Sequence, residues 1–195
     1  MIDTHSIVRI QDVFDRWRQM GSRRLGSGTE LIGRMPDCDT ELWMHAIYPG
    51  LAVPEIELLE VKMQRRLPRD LRALYRITRG MSLFQGAFRL LGRREPGFCT
   101  AEHSLQPDDI LELNHELDVL GWKPRHAVAF AANGWDQSVH LFGMTDQSRQ
   151  IARCDRATGT ILELNPTLWD CLVGKLYKLD QLLVQEQPNA DRSTA

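Results

Sequence analysis

Two hairpin signals in the C-terminal third limit the possible folds most strongly. Four short apolar runs stand in two pairs, 127–131 with 138–142 and 150–154 with 160–164. The first pair flanks Asn133-Gly134, which tolerates the positive φ of a hairpin turn, and the second surrounds Ala157-Thr158-Gly159. Because a hairpin pairs its two strands antiparallel, this region predicts an antiparallel sheet.

Helical spacing of apolar residues marks most of the other patterned segments. The predicted helices are residues 6–20, two segments that begin near Pro54 and Pro68, one after Pro107, and a last one capped by Asn165-Pro166. Residues 83–91 have the composition of a strand. Since helices and strands do not alternate strictly, we expect an α+β fold with helices packed against a largely antiparallel sheet.

The chain divides into three parts by composition. Residues 1–42 hold the first helix and a stretch rich in glycine and serine, 21–29, that reads as a flexible linker. Residues 43–184 form the predicted main domain, and the polar residues 185–195 a disordered tail.

Composition indicates a soluble cytoplasmic protein. Of the 195 residues, 43% are hydrophobic and 26% are charged, as is usual for a globular chain. No run of apolar residues is long enough for a membrane span, and Met1–His5 do not resemble a secretory signal. The cysteines form no C-x-x-C pair, so we expect neither a zinc ribbon nor a disulfide framework. The glycines at 26 and 28 lack the lysine of a phosphate loop, and we expect no cofactor.

No segment carries a catalytic or metal-binding signature. The segment 80–84 lacks the second glycine of a nucleophile elbow, and the histidines are too scattered to nominate a base. The acidic residues 37–41 fail the calcium-loop pattern, because leucine and tyrosine occupy its glycine and glutamate positions. We therefore predict a binding protein and not an enzyme.

Charge is distributed unevenly along the chain. From Lys62 to Arg94 ten residues are basic and one, Asp70, is acidic, whereas the net charge is only −2. Four arginines recur at helical spacing, Arg69, Arg72, Arg76 and Arg79. They either form a solvated helix face or bind an anionic partner. A pI near 6.3 argues against nucleic acid as the ligand, because nucleic-acid-binding domains are usually basic overall.

Trp135 and Asp136 follow the glycine of the first hairpin. An exposed indole beside a carboxylate is typical of binding surfaces, so this pair is a candidate partner site together with the four arginines. The other interpretation is that Trp135 packs back on the sheet.

The predicted main domain, 43–184, resembles the SUKH superfamily, with the match running from Trp43 to Leu183. The resemblance lies in segments 47–51, 56–60, 67–71, 74–75 and 79–80, then in 83–84, 128–131, 133–134, 136 and 139–141. Members of that family are similar to bacterial immunity proteins that neutralise cognate toxins and to a fungal regulator of cell-wall synthesis. The resemblance implies a protein-binding domain and no catalytic residues.

The leading hypothesis is therefore an immunity protein that binds and occludes a cognate toxin. One alternative is a regulatory scaffold that recruits partners through the N-terminal helix and the arginine face. Another is a binder of an anionic ligand or nucleic acid through the arginines. The sequence leaves the partner and the oligomeric state open.

Overall fold

The computed structural model describes residues 4–35, 41–94, 106–145, 147 and 149–186. Within these ranges the α+β class is confirmed, with helices on an antiparallel sheet and a helix at the N-terminus. The helices are α1 (Thr4–Arg18), α2 (Val53–Met63), α3 (Arg69–Ile77), α4 (Ile110–Leu120) and α5 (Leu168–Glu186). The strands are β1 (Ser22–Arg24), β2 (Glu30–Arg34), β3 (Trp43–Ile47), β4 (Met81–Leu83), β5 (Phe88–Leu90), β6 (Val128–Asn133), β7 (Val139–Phe142), β8 (Ile151–Cys154) and β9 (Ile161–Asn165).

All nine strands belong to one sheet, in which each strand pairs antiparallel with the next along the chain. Both predicted hairpins are confirmed, since β6 pairs with β7 and β8 with β9. The predicted strand 83–91 is instead a hairpin of β4 and β5. Phe84, Gln85 and Gly86 have positive φ and turn the chain between them.

The glycine-rich linker predicted in residues 1–42 is corrected by the structure. Residues 22–34 form the β1–β2 hairpin. Strand β2 then pairs with β3, which lies beyond the predicted domain boundary at residue 43. Gly28 takes a φ of 83° in the turn, where its N–H donates to Leu25 O. Leu31 and Ile32 of β2 are buried. The glycines therefore shape an ordered hairpin and do not supply flexibility.

The last helix begins later than predicted. Asn165 ends β9, and Thr167 caps α5, since its Oγ1 accepts a hydrogen bond from Asp170 N at 3.2 Å. Because a threonine oxygen satisfies a free N–H of the first turn, the helix starts at Leu168. The predicted disordered tail, 185–195, is wrong at its start, because Gln185 and Glu186 still belong to α5, and its remainder lies outside the described residues.

Two groups of helices pack on the sheet. α1 contacts α5 and β2, while α4 contacts β6 and α2. The Asn114 side chain fixes α4 at a bulge of β6, where it donates to Ala129 O at 2.7 Å and accepts from Ala129 N at 3.0 Å. In the described part of the chain, no helix is both long and apolar enough to cross a membrane.

Candidate functional site

Trp135 lies on the loop that joins β6 to β7. Of the two alternatives for this residue, packing on the sheet is excluded, because 69% of its surface is exposed. Most tryptophans bury a large part of their surface. An indole left in water at a loop is therefore a candidate anchor for a partner.

Asp136 organises this loop from within. Its Oδ1 accepts hydrogen bonds from Ser138 N at 2.9 Å and Ser138 Oγ at 2.7 Å, and its Oδ2 accepts from Arg153 Nη1 at 2.8 Å. Partial burial raises the pKa of Asp136, but the bonds from Ser138 and the charge of Arg153 outweigh it and lower the pKa below its ordinary value. The carboxylate thus positions the loop more than it offers a free acceptor.

The base of the loop is fixed by close backbone contact. Gly134 N donates to Ala87 O at 2.9 Å, and a Cβ at Gly134 would collide with the carbonyl group of Gly86. The glycine is needed for this approach, whereas the positive φ of the loop occurs at Gln137. Such a loop presents Trp135 with little conformational freedom left to lose on binding.

A shallow groove of about 420 Å³ adjoins the loop, between the end of α4 and the β8–β9 turn. We call this groove together with Trp135 the tryptophan face. Residues that line the groove include Glu116, Leu120, Asp136, Gln137, Asp155 and Arg156. Leu120 is 49% exposed and adds apolar surface to that of the indole.

Carboxylates dominate the charge of the tryptophan face. Glu116 and Arg156 form a two-bond ion pair that includes Arg156 Nε to Glu116 Oε1 at 2.8 Å, and this bond lowers the pKa of Glu116. Asp155 accepts from Thr158 N at 2.8 Å, which lowers the pKa of Asp155. Arg153 is shared between Asp136 and Glu163. The groove therefore keeps a negative surplus at neutral pH.

The four predicted arginines do not form one surface. Arg69 and Arg76 are exposed on α3. Arg72 instead bonds the buried Glu60, with Nη1 3.0 Å from Oε2. Arg79 lies beyond the end of α3 and is buried, with 6% of its surface exposed. The four arginines are spaced as if on one helix. However, α3 ends at Ile77, before Arg79, so it cannot hold all four on one face.

A second charged region, which the sequence reasoning missed, lies on the other side of α4. Two adjoining clefts there are lined by cations from the α2–α3 junction and from the loop before β6. We call them the basic clefts. Arg69 is the only one of the four predicted arginines among their lining residues. The run of basic residues after Lys62 was the sequence signal for this region. The loop of residues 123–126, which supplies further cations, comes next to that run only in the folded chain.

One cysteine and one histidine meet in the core, with Cys171 Sγ 3.4 Å from His140 Nδ1. Burial raises the pKa of Cys171 to about 12 and lowers the pKa of His140 to about 3. Both groups are therefore neutral at physiological pH, and both are closed to solvent. A reactive cysteine requires the thiolate and access, so this pair is a packing contact. Among the described residues, no three His, Cys, Asp or Glu side chains are placed to hold a metal ion.

Comparison with known proteins does not assign the chain to a family. No protein-family model matches the chain, and no curated protein matches it either. The resemblance of residues 43–184 to the SUKH superfamily stays a prediction.

Proposed function

We propose that this protein is a non-catalytic binding protein that docks a cationic protein partner on the tryptophan face. The observation that carries the proposal is Trp135, 69% exposed on a loop that Asp136 and Gly134 hold in place. Tryptophan is among the residues most enriched at the energetic centres of interfaces. A fixed loop reduces the entropy that binding would otherwise cost.

Charge supports the choice of a cationic partner. Of the three carboxylates in the groove beside Trp135, Glu116 pairs with Arg156 and Asp136 with Arg153. Asp155 therefore supplies the surplus negative charge. A negative surface attracts a positive one during encounter and disfavours acidic partners. Proteins that act on nucleic acids carry cationic surfaces, which makes them suitable partners for such a face.

The partner class that we propose is a bacterial toxin, neutralised by occlusion. This step rests on the SUKH resemblance of residues 43–184, which implies immunity-type binding. The scaffold alternative relied on a separate N-terminal helix, and the packing of α1 against α5 does not favour it.

The test is co-expression with the product of the adjacent gene in a strain for which that product is toxic, scored by growth, followed by calorimetry of the purified pair. We expect protection by the unaltered protein and a loss of affinity of about 30-fold or more for Trp135→Ala, as for a hot-spot residue. Val61→Ala is the matched control, because Val61 is 72% exposed on α2. Failure to protect, or equal affinity of Trp135→Ala and the control, would refute the proposal.

A further inference from the structure

The first basic cleft lies between the end of α2, α4 and the loop before β6. It has a volume of about 880 Å³. The charged residues that line it are Lys62, Arg65, Asp118, Lys123 and Arg125, with His115 beside them. Four of these side chains are cations and one is a carboxylate, so the lining carries a positive surplus.

Asp118 is already neutralised inside the cleft. Its Oδ1 pairs with Lys123 Nζ at 2.7 Å, and its Oδ2 accepts from Arg65 Nη2 at 2.8 Å. The side chain of Lys123 is 0% exposed and cannot leave its partner for water. Because Lys123 and Arg65 share the single carboxylate of Asp118, this cluster keeps one positive charge, to which Lys62 and Arg125 add two more within the lining.

Backbone groups hold these cations in position. Arg65 Nη1 and Lys123 Nζ both donate to Ala127 O, at 3.0 and 3.1 Å. Burial lowers the pKa of Lys123, and the nearby charge of Arg65 lowers it further, against the bond to Asp118, which raises it. A bound anion would offset the electrostatic repulsion between two cations held this close together. The cleft is thus preorganised for negative charge.

The α2–α3 junction places further cations next to this cleft. Glu60, which is buried, accepts from Leu67 N at 2.9 Å and from Arg72, and so ties the junction to both helices. Gln64 ends α2 with a φ of 53°, after which Arg65 lines the first cleft and Arg66 the second. The ion pair between Arg72 and Glu60 therefore fixes the backbone that carries Arg65 and Arg66.

The second cleft, of about 570 Å³, extends the same charge. It is lined by the cations Arg66, Arg69 and Arg149, by His126, and by the carboxylate of Asp70. Consecutive residues of two segments, 65–66 and 125–126, each line one cleft and then the other. The clefts together hold seven cations and two carboxylates, arranged along a path and not around one point.

We propose that the basic clefts bind a short oligophosphate anion through its phosphate groups. Several linked phosphates fit a row of guanidinium and ammonium groups, which match phosphate geometry as bidentate and point donors. A stacked base has no platform here, because the one Phe, Tyr or Trp in the described lining is Phe142, which is buried. Proteins that bind single-stranded nucleic acid usually stack bases on exposed aromatic rings.

The test is calorimetry of the full chain with tripolyphosphate, ATP, adenosine and a single-stranded oligonucleotide. We expect tripolyphosphate and ATP to bind with similar affinity and adenosine not to bind. Added salt should weaken the binding of tripolyphosphate and of ATP. Lys62→Glu and Arg125→Glu change exposed residues, so the fold should persist, and each should weaken tripolyphosphate binding about 10-fold or more. Arg24→Glu makes the same charge change on β1 and is the matched control.

Three results would overturn the proposal. The first is no heat of binding with tripolyphosphate at about 1 mM. The second is an equal loss in Arg24→Glu, which would mean attraction to net charge alone. The third is tighter binding of the oligonucleotide than of tripolyphosphate, which would assign the clefts to nucleic acid. None of these measurements involves the tryptophan face, so their failure leaves the proposed partner site untouched.

Discussion

Trp17 Nε1 donates a hydrogen bond to Asp180 Oδ1 at 2.8 Å and joins α1 to α5 across 163 residues of sequence. Arg16 forms an ion pair with the other oxygen of the same carboxylate. Asp180 is 4% exposed and Trp17 is 7% exposed. This contact makes the N-terminal helix part of the folded body.

Asp180→Ala should therefore destabilise the protein. The change leaves the buried Trp17 N–H without a partner, and we expect a loss of about 2 to 3 kcal/mol in the free energy of unfolding. The figure is moderate because the Arg16 side chain is 56% exposed and its ion pair is screened by water. Urea unfolding measures it, with Asp15→Ala as control, since the Asp15 side chain is 67% exposed. Equal midpoints for the two variants would contradict the structural role of Asp180.

Deletion of residues 1–42 should abolish the cooperative fold, contrary to the idea of a detachable recruiting arm. The deletion removes α1, β1 and β2 and with them the buried Phe14, Trp17 and Ile32. It also leaves β3 as an unpaired edge, which favours aggregation. Size-exclusion chromatography and thermal unfolding measure the result. A soluble fragment with a sharp transition would revive the scaffold hypothesis.

Two glycine substitutions should act in opposite directions. Gly134→Ala places a Cβ against the Gly86 carbonyl group, and we expect it to cost about 1 to 3 kcal/mol of stability and to weaken partner binding by displacing Trp135. Gly174→Ala meets no atom within 4 Å and lies in the middle of α5, so it should stabilise the protein by about 0.5 to 1 kcal/mol. Unfolding curves of the two variants provide the measurement. A neutral Gly134→Ala would mean that the loop yields without strain.

Acid should destabilise the fold through two buried histidines. Burial lowers the pKa of His45 and of His140 from 6.5 to about 3, so the folded chain binds fewer protons than the unfolded one. Their contribution is complete above pH 6.5 and is lost as the pH falls toward 3. Between pH 5 and 6 the two together should give a slope of about 2.5 kcal/mol per pH unit.

His45→Phe isolates one of these contributions. His45 lies among Phe14, Trp17 and Phe84, so an aromatic replacement suits the site. The slope of the unfolding free energy should fall by about half, whatever the change in absolute stability. His126→Asn, which removes an exposed histidine, is the matched control. An unaltered slope in His45→Phe would show that His45 is protonated in the folded protein.

The sequence by itself determined the local elements. Short apolar runs around Asn133-Gly134 predicted the β6–β7 hairpin, and apolar spacing predicted all five helices of the described residues. These patterns are local, because the period of the side chains and the conformation of turn residues report which face of one element is buried. The same hairpin placed Trp135 on the loop, where exposure to solvent was one of the two predicted alternatives.

Only the tertiary structure decided how charges pair and where the clefts form. Arg72 is held by Glu60, and Asp136 by Arg153, because elements distant in sequence are neighbours in space. The basic clefts require the α2–α3 junction to meet a loop about sixty residues later in the chain, near Lys123. Helical spacing cannot report such encounters, since the energy of an ion pair depends on distance and burial in the folded chain and not on separation along the sequence.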